Sequence, residues 1–555
     1  MEKIPIDNFI KLYEKSFTEN WELPALSDYS RGNTQTYGEM AEEIAKVHML
    51  FESLGIKPGD KIALCGKDSA NWVKIFMATV TYGAIIVPIL SDFNPVDITH
   101  IVNHSGAFLL FVSDHIWEHM EPDKLLNVKG VISIEQKKPL HEVAEVELSR
   151  NLRLLKRRFK RKYPDGYKAQ DVKYIDRDNS EVAEINYTSG TTGFSKGVML
   201  TGENLAGNVC FGIYAKLFIR GSHTLSFLPL AHAYGCAFDM LTPLAQGVHV
   251  YILGKTPSPR VLLKAMADVK PKLVIAVPLI LEKIYKNQIL PMISKGAMRW
   301  TLAVPFLDTL IYSKIRKKLV DAFGGEFSQV IVGGAALNHE VEEFLHKIKF
   351  PFTVGYGMTE CGPLISYSPW NEFIVGSAGK TIPVMESKIL SDDPENVPGE
   401  ICVRGTNRMK GYYKNKAATD AVIDKEGWLH TGDIGTRSSD GVLFLRGRNK
   451  TMILSASGQN IYPEEIEAKL NNMPYVAESL IVERDGKLVG LVYPDYEATD
   501  KLGYGIADLD DLMENVRKEL NKIVAPYEQI TKIILMPNEF EKTPKRSIKR
   551  FLYTR

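Results

Sequence analysis

Residues 187–197 concentrate groups that could hold a phosphate. They read Tyr-Thr-Ser-Gly-Thr-Thr-Gly-Phe-Ser-Lys-Gly and directly follow the short apolar stretch 182–185. Glycines let backbone N–H groups turn toward a ligand, and consecutive N–H groups form a concave anion site. The hydroxyls of Thr188, Ser189, Thr191 and Thr192 add neutral donors, and Lys196 adds one positive charge. The alternative interpretation is a flexible Gly/Thr linker, but the order of residues favours a loop that binds a polyphosphate.

This loop differs from the Walker type, which ends in Gly-Lys-Ser/Thr, because Ser195 precedes the lysine and Gly197 follows it. It resembles the loop of the AMP-forming acyl- and aryl-adenylating enzymes: acyl-CoA synthetases, luciferases and adenylation domains of peptide synthetases. Their usual proline before the lysine is Ser195 here, and the lysine spacing is intact. The resemblance implies that the following residues contact ATP: Thr188, Ser189, Gly190, Thr191, Thr192, Gly193 and Lys196.

The composition is that of a globular protein with more than one domain. The chain has 555 residues, of which 45% are hydrophobic and 24% charged, both ordinary fractions. Lys plus Arg (68) and Asp plus Glu (67) cancel, so no global field attracts nucleic acid. Five scattered cysteines without CxxC spacing favour a reducing compartment. Because neither a signal-peptide layout nor an apolar run of ~20 residues occurs, we expect a cytoplasmic protein.

Alternating periodicities predict an α/β fold. Helical spacing occurs at 37–54, 72–81, 463–471 and 509–522, and strand-like runs occur at 61–65, 85–89, 273–277 and 330–332. We expect a large N-terminal domain, residues 1–448, with helix-covered mixed or parallel sheets and a β-rich subdomain at 376–446. A small α+β C-terminal domain, residues 449–555, follows. The resemblance implies that this second domain is hinged at Lys450.

Two further stretches resemble the acyl and adenine contacts of these enzymes. Residues 228–235, Leu-Pro-Leu-Ala-His-Ala-Tyr-Gly, match the motif on the carboxylate side of the pocket. That match implies that His232 contacts the acyl group or gates its channel; without it, His232 would be a structural histidine. Gly333, Gly334 and Ala335 follow a predicted strand, and the resemblance makes them one wall of the adenine site.

Residues 354–362 combine an aromatic ring, a hydroxyl and a carboxylate. The resemblance implies that Tyr356 and Gly357 contact the nucleotide and that Thr359 contacts phosphate. Glu360 lies between glycines in an otherwise apolar segment, which favours a role as a hard-cation ligand, since Mg²⁺ prefers carboxylate oxygens, water and substrate phosphates. The family places Mg²⁺ at this glutamate, helped by Thr188.

Three stretches near the predicted boundary resemble ribose and CoA contacts. An ionised aspartate has acceptors for both ribose hydroxyls, and the match assigns that role to Asp433; a turn-capping aspartate is the alternative. Arg448 offers a rigid multi-donor fork for the same ribose. Residues 455–467 match the segment that reaches the site during thioester formation, where Gly458 lets the backbone pass the pantetheine channel.

The C-terminal motif departs from the family. Members usually carry a lysine that reaches the carboxylate and α-phosphate, and alignment of residues 543–550 puts Ser547 at that position. If the segment is extended, Lys545 and Lys549 lie on the same side as Ser547. Either could supply the missing charge, and we favour Lys549.

Residues 150–162 contain eight basic side chains, no acidic one, and interleaved leucines. A solvated basic helix or loop is one interpretation. Peripheral contact with anionic lipid on the inner face of the membrane is a second, and an approach path for CoA phosphates is a third.

Together these motifs predict activation of a fatty acid by ATP and Mg²⁺ and its transfer to CoA. The surroundings of the motifs, including residues 310–316 and 409–413, resemble bacterial long-chain fatty acyl-CoA synthetases. An acyl carrier protein is the alternative acceptor, kept open by residues 150–162. A catalytically weak acyl or nucleotide sensor is the alternative from another class, motivated by Ser547.

Overall fold

The computed structural model describes residues 4–188, 196–254, 258–293, 307–454, 460–484, 486–501, 508–543 and 548–554. Within them the chain forms two compact units. The first unit comprises residues 4–188, 196–386 and 403–429. The second unit comprises residues 387–402 and those from 430 onward. The predicted hinge boundary at 448–449 stays a prediction.

An eight-stranded mixed sheet is the largest element of the first unit. Its middle strands run parallel, and each edge is closed by antiparallel pairing. The spatial order is Gly411–Tyr412, Lys196–Thr201, Val182–Thr188, Ile85–Ile89, Lys61–Cys65, Leu109–Val112, Gly130–Ser133 and Pro139–Glu142. The two strands that flank residues 189–195 are therefore neighbours near one edge.

Three smaller sheets complete the first unit. One has the order His223–Ser226, His249–Ile252, Pro24–Asp28 and Thr34–Thr36. A parallel sheet has the order Val274–Ala276, Val330–Val332 and Phe352–Val354. An antiparallel sheet has the order Tyr356–Gly357, Leu364–Tyr367 and Lys380–Thr381.

Helices cover these sheets. Within the described residues of the first unit, the α-helices are Phe9–Glu19, Tyr37–Ser53, Ala70–Thr81, Pro95–Ser105, Asp114–Trp117, Leu148–Lys162, Gly202–Tyr214, Ala233–Gly235, Thr242–Ala245, Pro259–Val269, Pro278–Ile284, Leu290–Ile293, Leu307–Ala322, His339–Lys347 and Lys416–Asp420. Cys236–Leu241 and Tyr285–Ile289 are π-helical. Among the helices described, none combines the length and apolar composition needed to cross a bilayer.

Local signals set the ends of these helices. Helix Tyr37–Ser53 begins after Thr36, whose hydroxyl accepts from Glu39 N at 3.1 Å while the Glu39 carboxylate accepts from Thr36 N at 2.9 Å. This reciprocal cap pairs N–H groups that a helix start otherwise leaves without partners. The chain leaves the helix at Gly55, whose φ of +73° is accessible to glycine without strain.

The second unit combines three sheets with short helices. Its largest sheet has the order Met385–Leu390, Gly399–Gly405, Leu429–Arg437 and Leu443–Arg448. The others are Ile453–Leu454 with Asn460–Ile461, and Val476–Arg484, Lys487–Pro494 and Lys532–Leu535. The α-helices are Pro463–Leu470, Tyr496–Lys501 and Leu509–Ile523. Apolar faces of the first and third of these helices share one core with the last sheet, including Ile466, Met513 and Val492.

The structure confirms the predicted α/β class and most predicted elements. Strands Lys61–Cys65, Ile85–Ile89 and Val330–Val332 have the predicted bounds, and the strand predicted at 273–277 is Val274–Ala276. All five cysteines are buried, and the described residues contain no disulfide.

Candidate active site

The strand pair Val182–Thr188 and Lys196–Thr201 brings two predicted phosphate contacts together. The register places Thr188 directly opposite Lys196. Behind them, the Tyr187 hydroxyl and His104 Nδ1 are hydrogen-bonded at 2.7 Å. The other predicted loop contacts lie outside the described residues: Ser189, Gly190, Thr191, Thr192 and Gly193.

Lys196 contacts an aromatic ring that the sequence analysis did not identify. Its Nζ lies 4.9 Å from the centroid of the Tyr412 ring, within the range of a cation–π interaction. The Tyr412 hydroxyl donates to Glu360 Oε1 at 2.8 Å. The structure thereby joins the predicted phosphate lysine and the predicted magnesium ligand through one tyrosine. We refer to these residues as the Lys196–Tyr412–Glu360 cluster.

Backbone pairing fixes this cluster. Gly411–Tyr412 pairs antiparallel with Lys196–Thr201, so that Tyr412 lies opposite Val198. Lys196 and Val198 are two positions apart and share a face of the sheet, which brings the Tyr412 ring beside Lys196. On the other side, Met409 N donates to the Glu360 carbonyl at 2.7 Å. The cluster therefore rests on main-chain hydrogen bonds rather than on flexible side chains alone.

Glu360 lies in the 3₁₀ turn Thr359–Cys361, which ends at Gly362 with φ +57°. Thr359 is buried and Glu360 half-buried. The Tyr412 hydroxyl bonds to Oε1 of Glu360, and no hydrogen bond to Oε2 is present among the described residues. A half-buried carboxylate with one committed oxygen suits a Mg²⁺ ion whose other ligands are waters and phosphates.

The predicted adenine wall follows the parallel strand Val330–Val332. Gly333 N donates to Ala276 O at 3.0 Å, and a side chain at Gly333 would lie 2.9 Å from the Tyr234 ring. Gly334 has φ +86°, and Ala335 is exposed. These small residues leave a smooth backbone surface that a flat base could approach.

Tyr356 and Gly357 form a short edge strand of the antiparallel sheet that also contains Leu364–Tyr367 and Lys380–Thr381. Tyr356 is buried and pairs with Ser366. A side chain at Gly357 would lie 2.3 Å from Pro363 O, so only glycine fits the close approach of these backbones.

His232 precedes the short helix Ala233–Gly235 and is half-buried. Its carbonyl accepts from Cys236 N at 2.8 Å. Beside its loop lie carboxyl groups that the sequence analysis missed. Leu230 N donates to both carboxylate oxygens of Asp68 at 3.2 Å, and burial raises the pKa of Asp68 to about 7.

Asn186 links the strand Val182–Thr188 to the loop of His232 and also contacts Glu184 on the same strand. Asn186 Nδ2 donates to Glu184 Oε1 at 2.7 Å and to Ala231 O at 3.1 Å. Burial raises the pKa of Glu184 to about 7. A glutamate within an apolar strand run was the available sequence signal, and the contact of its neighbour Asn186 with Ala231 is visible only in the fold.

In the second unit, the structure joins Asp433 and Arg448. They lie opposite each other in antiparallel strands, and Arg448 Nε is 3.1 Å from Asp433 Oδ1. Asp433 is buried, whereas the Arg448 side chain is 67% exposed. Gly432, with φ +73°, turns the chain before Asp433, and its N–H donates to Glu400 Oε1 at 3.0 Å. We refer to these two charged residues as the Asp433–Arg448 pair.

The structure does not bring the remaining predicted residues of the second unit together in one site. Lys450 is exposed, and Lys549 Nζ lies 3.4 Å from Glu541 Oε2. Gly458 and Lys545 lie outside the described residues, as does Ser547. Next to Lys549, Arg550 pairs with Glu467, so the end of the chain is tied to helix Pro463–Leu470.

Comparison with known proteins shows the family of this chain. Residues 13–413 match the AMP-binding enzyme family. The chain is 27% identical to the long-chain-fatty-acid–CoA ligase FadD15 of Mycobacterium bovis, over 93% of this chain and 89% of that protein. It is 29% identical to 4-coumarate:CoA ligase 1 of Petunia hybrida, over 84% of this chain and 80% of that protein. ATP-bound MatB from Rhodopseudomonas palustris has a similar fold, with a TM-score of 0.76, 20% identity and coverage of 98% of both chains.

Proposed function

Because this chain belongs to the AMP-binding enzyme family, we propose that it is an ATP-dependent ligase that joins a long-chain fatty acid to CoA. Acid–CoA ligation is common to the curated relatives, whereas the acid differs among them. The choice of a long-chain acid is supported by the FadD15 relative, which spans nearly the whole chain.

The observation that carries the proposal is the Lys196–Tyr412–Glu360 cluster. It places one cation and one carboxylate at the strand pair that flanks residues 189–195. A polyphosphate with its metal needs both kinds of charge. Thr188 lies opposite Lys196 and adds a hydroxyl to the same place.

The first chemical step forms an acyl adenylate. A carboxylate oxygen of the acid attacks the α-phosphorus of ATP, and pyrophosphate leaves. Lys196 would stabilise the charge that builds on the phosphates, and Thr359 would hold a phosphate oxygen. Mg²⁺ held by Glu360 and Thr188 would supply further neutralisation of that charge. Positioning the two reactants together can contribute ~7–11 kcal/mol toward the barrier.

The second step transfers the acyl group. The CoA thiolate attacks the acyl carbonyl carbon, and AMP leaves with the bonding electrons of the C–O bond. We assign the ribose hydroxyls to the Asp433–Arg448 pair, the adenine to residues 333–335 with Tyr356 and Gly357, and the acyl side to His232. We retain Lys450 as the hinge and Gly458 as the passage for pantetheine.

Pyrophosphate release tests this function. With a panel of fatty acids, we expect acid-dependent pyrophosphate and AMP, and acyl-CoA only when CoA is present. Replacing CoA with an acyl carrier protein distinguishes the alternative acceptor. If no acid yields pyrophosphate or AMP, the chain is a sensor rather than a ligase; if only aromatic acids react, the long-chain assignment is wrong.

We assign the role of the missing family lysine to Lys549. Its present partner, Glu541, is 67% exposed, and exposed ion pairs contribute only ~0.2–1 kcal/mol. Breaking the contact between Lys549 and Glu541 therefore needs little free energy. Lys549→Ala should lower the adenylation rate at least tenfold, about 1.4 kcal/mol, while Lys532→Ala, on an exposed strand position, should not. A wild-type rate in Lys549→Ala with a loss in Lys545→Ala would transfer the role to Lys545.

We further propose that helix Leu148–Lys162 binds an anionic membrane surface. Leu148 and Phe159 are buried and the other leucines half-buried, so this helix offers no fully exposed apolar side chain for insertion. Six of its basic side chains are exposed and make no ion pair within the described residues: Arg153, Lys156, Arg157, Lys160, Arg161 and Lys162. A protein partner normally needs an apolar or aromatic anchor, whereas a bilayer needs only charge, at about 1 kcal/mol per basic side chain.

Co-sedimentation with vesicles tests this docking. We expect binding to vesicles that contain phosphatidylglycerol, no binding to pure phosphatidylcholine, and loss at high salt. The Lys156→Glu/Lys160→Glu variant should lose binding. Lys314→Glu/Lys318→Glu, with the same spacing on the exposed side of helix Leu307–Ala322, should keep it. Salt-sensitive binding to an acidic carrier protein but not to vesicles would overturn the proposal.

A further inference from the structure

Tyr412 lies between two groups of opposite charge. Lys196 Nζ is over its ring at 4.9 Å, and its hydroxyl donates to Glu360 Oε1 at 2.8 Å. Lys196 and Glu360 themselves form no ion pair with each other or with any other group in the described part of the chain. Tyr412 is 7% exposed, so its ring is enclosed between them.

By holding the two charges apart, the protein gives up the attraction that a direct ion pair between Lys196 and Glu360 would provide. A lysine and a glutamate this close, in a half-buried setting, attract each other strongly because the effective dielectric constant is lower than in water. In direct contact the lysine and the glutamate would neutralise each other, and neither would be available to bind phosphate or metal. The aromatic face satisfies the ammonium by its quadrupole, and the phenol satisfies one carboxylate oxygen by a charge-assisted hydrogen bond. Both charges therefore stay available to a third partner.

We propose that Tyr412 is a positioning residue that keeps Lys196 and Glu360 apart, so that one faces phosphate and the other faces the metal. This inference rests on the roles assigned to Lys196 and Glu360 under the proposed function. The backbone supports it, since Tyr412 is held opposite Val198 in the strand pair and Tyr413 N donates to Gly197 O at 2.7 Å. The ring has little freedom to leave the space between the two charges.

Two substitutions separate the two contacts of Tyr412. Tyr412→Phe removes the hydroxyl that orients Glu360 and keeps the ring beneath Lys196. Tyr412→Leu removes both and lets Lys196 approach Glu360. Tyr413→Phe is the matched control, because its hydroxyl donates to Ser105 O at 3.3 Å, away from the cluster.

The primary measurement is Mn²⁺ binding, followed by electron paramagnetic resonance in the presence of a non-hydrolysable ATP analogue. Loss of a group that orients a metal ligand typically costs 10–100-fold in affinity, so Tyr412→Phe should weaken Mn²⁺ about tenfold. Its affinity for the metal-free ATP analogue should stay within twofold of wild type. Tyr412→Leu should weaken both, and Tyr413→Phe neither. Thermal melting of each variant excludes general unfolding as the cause.

The outcomes distinguish this inference from the proposed function. If Glu360→Gln weakens Mn²⁺ and Tyr412→Phe does not, the role of Tyr412 is overturned while Glu360 remains a ligand. If Glu360→Gln also leaves Mn²⁺ unchanged, the metal assignment and the role of Tyr412 toward it are both wrong. Equal weakening of metal and metal-free nucleotide by Tyr412→Phe would also overturn the inference, since the hydroxyl alone would then act on both.

Discussion

The Lys196–Tyr412–Glu360 cluster and the Asp433–Arg448 pair each bring a cation close to a carboxylate, but they hold their charges differently. In the cluster, a tyrosine separates Lys196 from Glu360. In the pair, Arg448 contacts Asp433 directly at 3.1 Å and is largely exposed. The cluster is therefore arranged in advance for an incoming ion and its counterion. To bind ribose, the pair must give up part of the contact between Arg448 and Asp433. Each new hydrogen bond to a ribose hydroxyl therefore contributes less binding free energy.

Lys196→Ala should have the largest effect, because it removes the positive charge of the Lys196–Tyr412–Glu360 cluster. Loss of one such donor typically lowers kcat by 10²–10³, or ~2.7–4 kcal/mol. Steady-state pyrophosphate release measures this change. Lys410→Ala is the control, since Lys410 lies on the same backbone ladder with an exposed side chain. A fall of less than tenfold would mean that the cluster does not stabilise the reacting phosphates.

Asp433→Asn should have a smaller effect, seen mainly in the KM for ATP. The amide keeps one acceptor oxygen and loses the charge, so about 1.5 kcal/mol and roughly tenfold in KM are expected. Asp440→Asn, at an exposed turn of the same hairpin, should be silent. If Asp433→Asn lowered kcat as much as Lys196→Ala, the contrast between the two regions would be wrong.

Glu184→Gln should have the smallest effect on activity and a distinct effect on stability. The pKa of Glu184 is raised to about 7 from 4.5, so the folded protein favours the protonated form. Its contribution is fully present below about pH 4.5 and is lost as the pH rises to about 7, on the order of 3 kcal/mol. A glutamine does not titrate, so the variant does not lose this stability between pH 4.5 and 7. The Tm of Glu184→Gln relative to wild type should therefore increase between pH 4.5 and 7.

Measuring the difference in Tm cancels other groups with raised pKa values, such as Asp68 and Glu342, because both proteins contain them. A constant difference in Tm across this range would show that Glu184 titrates normally. The carboxyl group of Glu184 would then behave like that of an exposed glutamate, in contrast to its burial in the structure.

Continuous apolar runs made the buried strands predictable. Residues 62–65 of strand Lys61–Cys65 and all of Ile85–Ile89 are apolar. Both strands are short and flanked by helical patterns, so only a covered strand suits them. Helix Tyr37–Ser53 was likewise evident from its spacing. The family resemblance, confirmed by the match over residues 13–413, added most of the candidate site residues.

Contacts between distant segments were not predictable. Tyr412 is 52 positions from Glu360, and only strand register brings it beside Lys196. The sequence of residues 150–162 likewise shows leucines among basic side chains but not which of them other elements cover. In the structure Leu148 is buried, the other leucines are half-buried, and Lys46 of helix Tyr37–Ser53 lies over the Phe159 ring at 5.3 Å. Membrane insertion is therefore not available to this helix, although surface attraction is.

The largest sheet of the second unit has a practical consequence for anyone who shortens this protein. Its four strands come from two separated stretches of chain, with Met385–Leu390 and Gly399–Gly405 from one and Leu429–Arg437 and Leu443–Arg448 from the other. A protein ending at residue 428 would keep the first two strands and expose the edge of Gly399–Gly405. An exposed strand edge promotes self-association, because its backbone groups can pair with another chain. One ending at residue 448 would retain every hydrogen-bonded neighbour of that sheet.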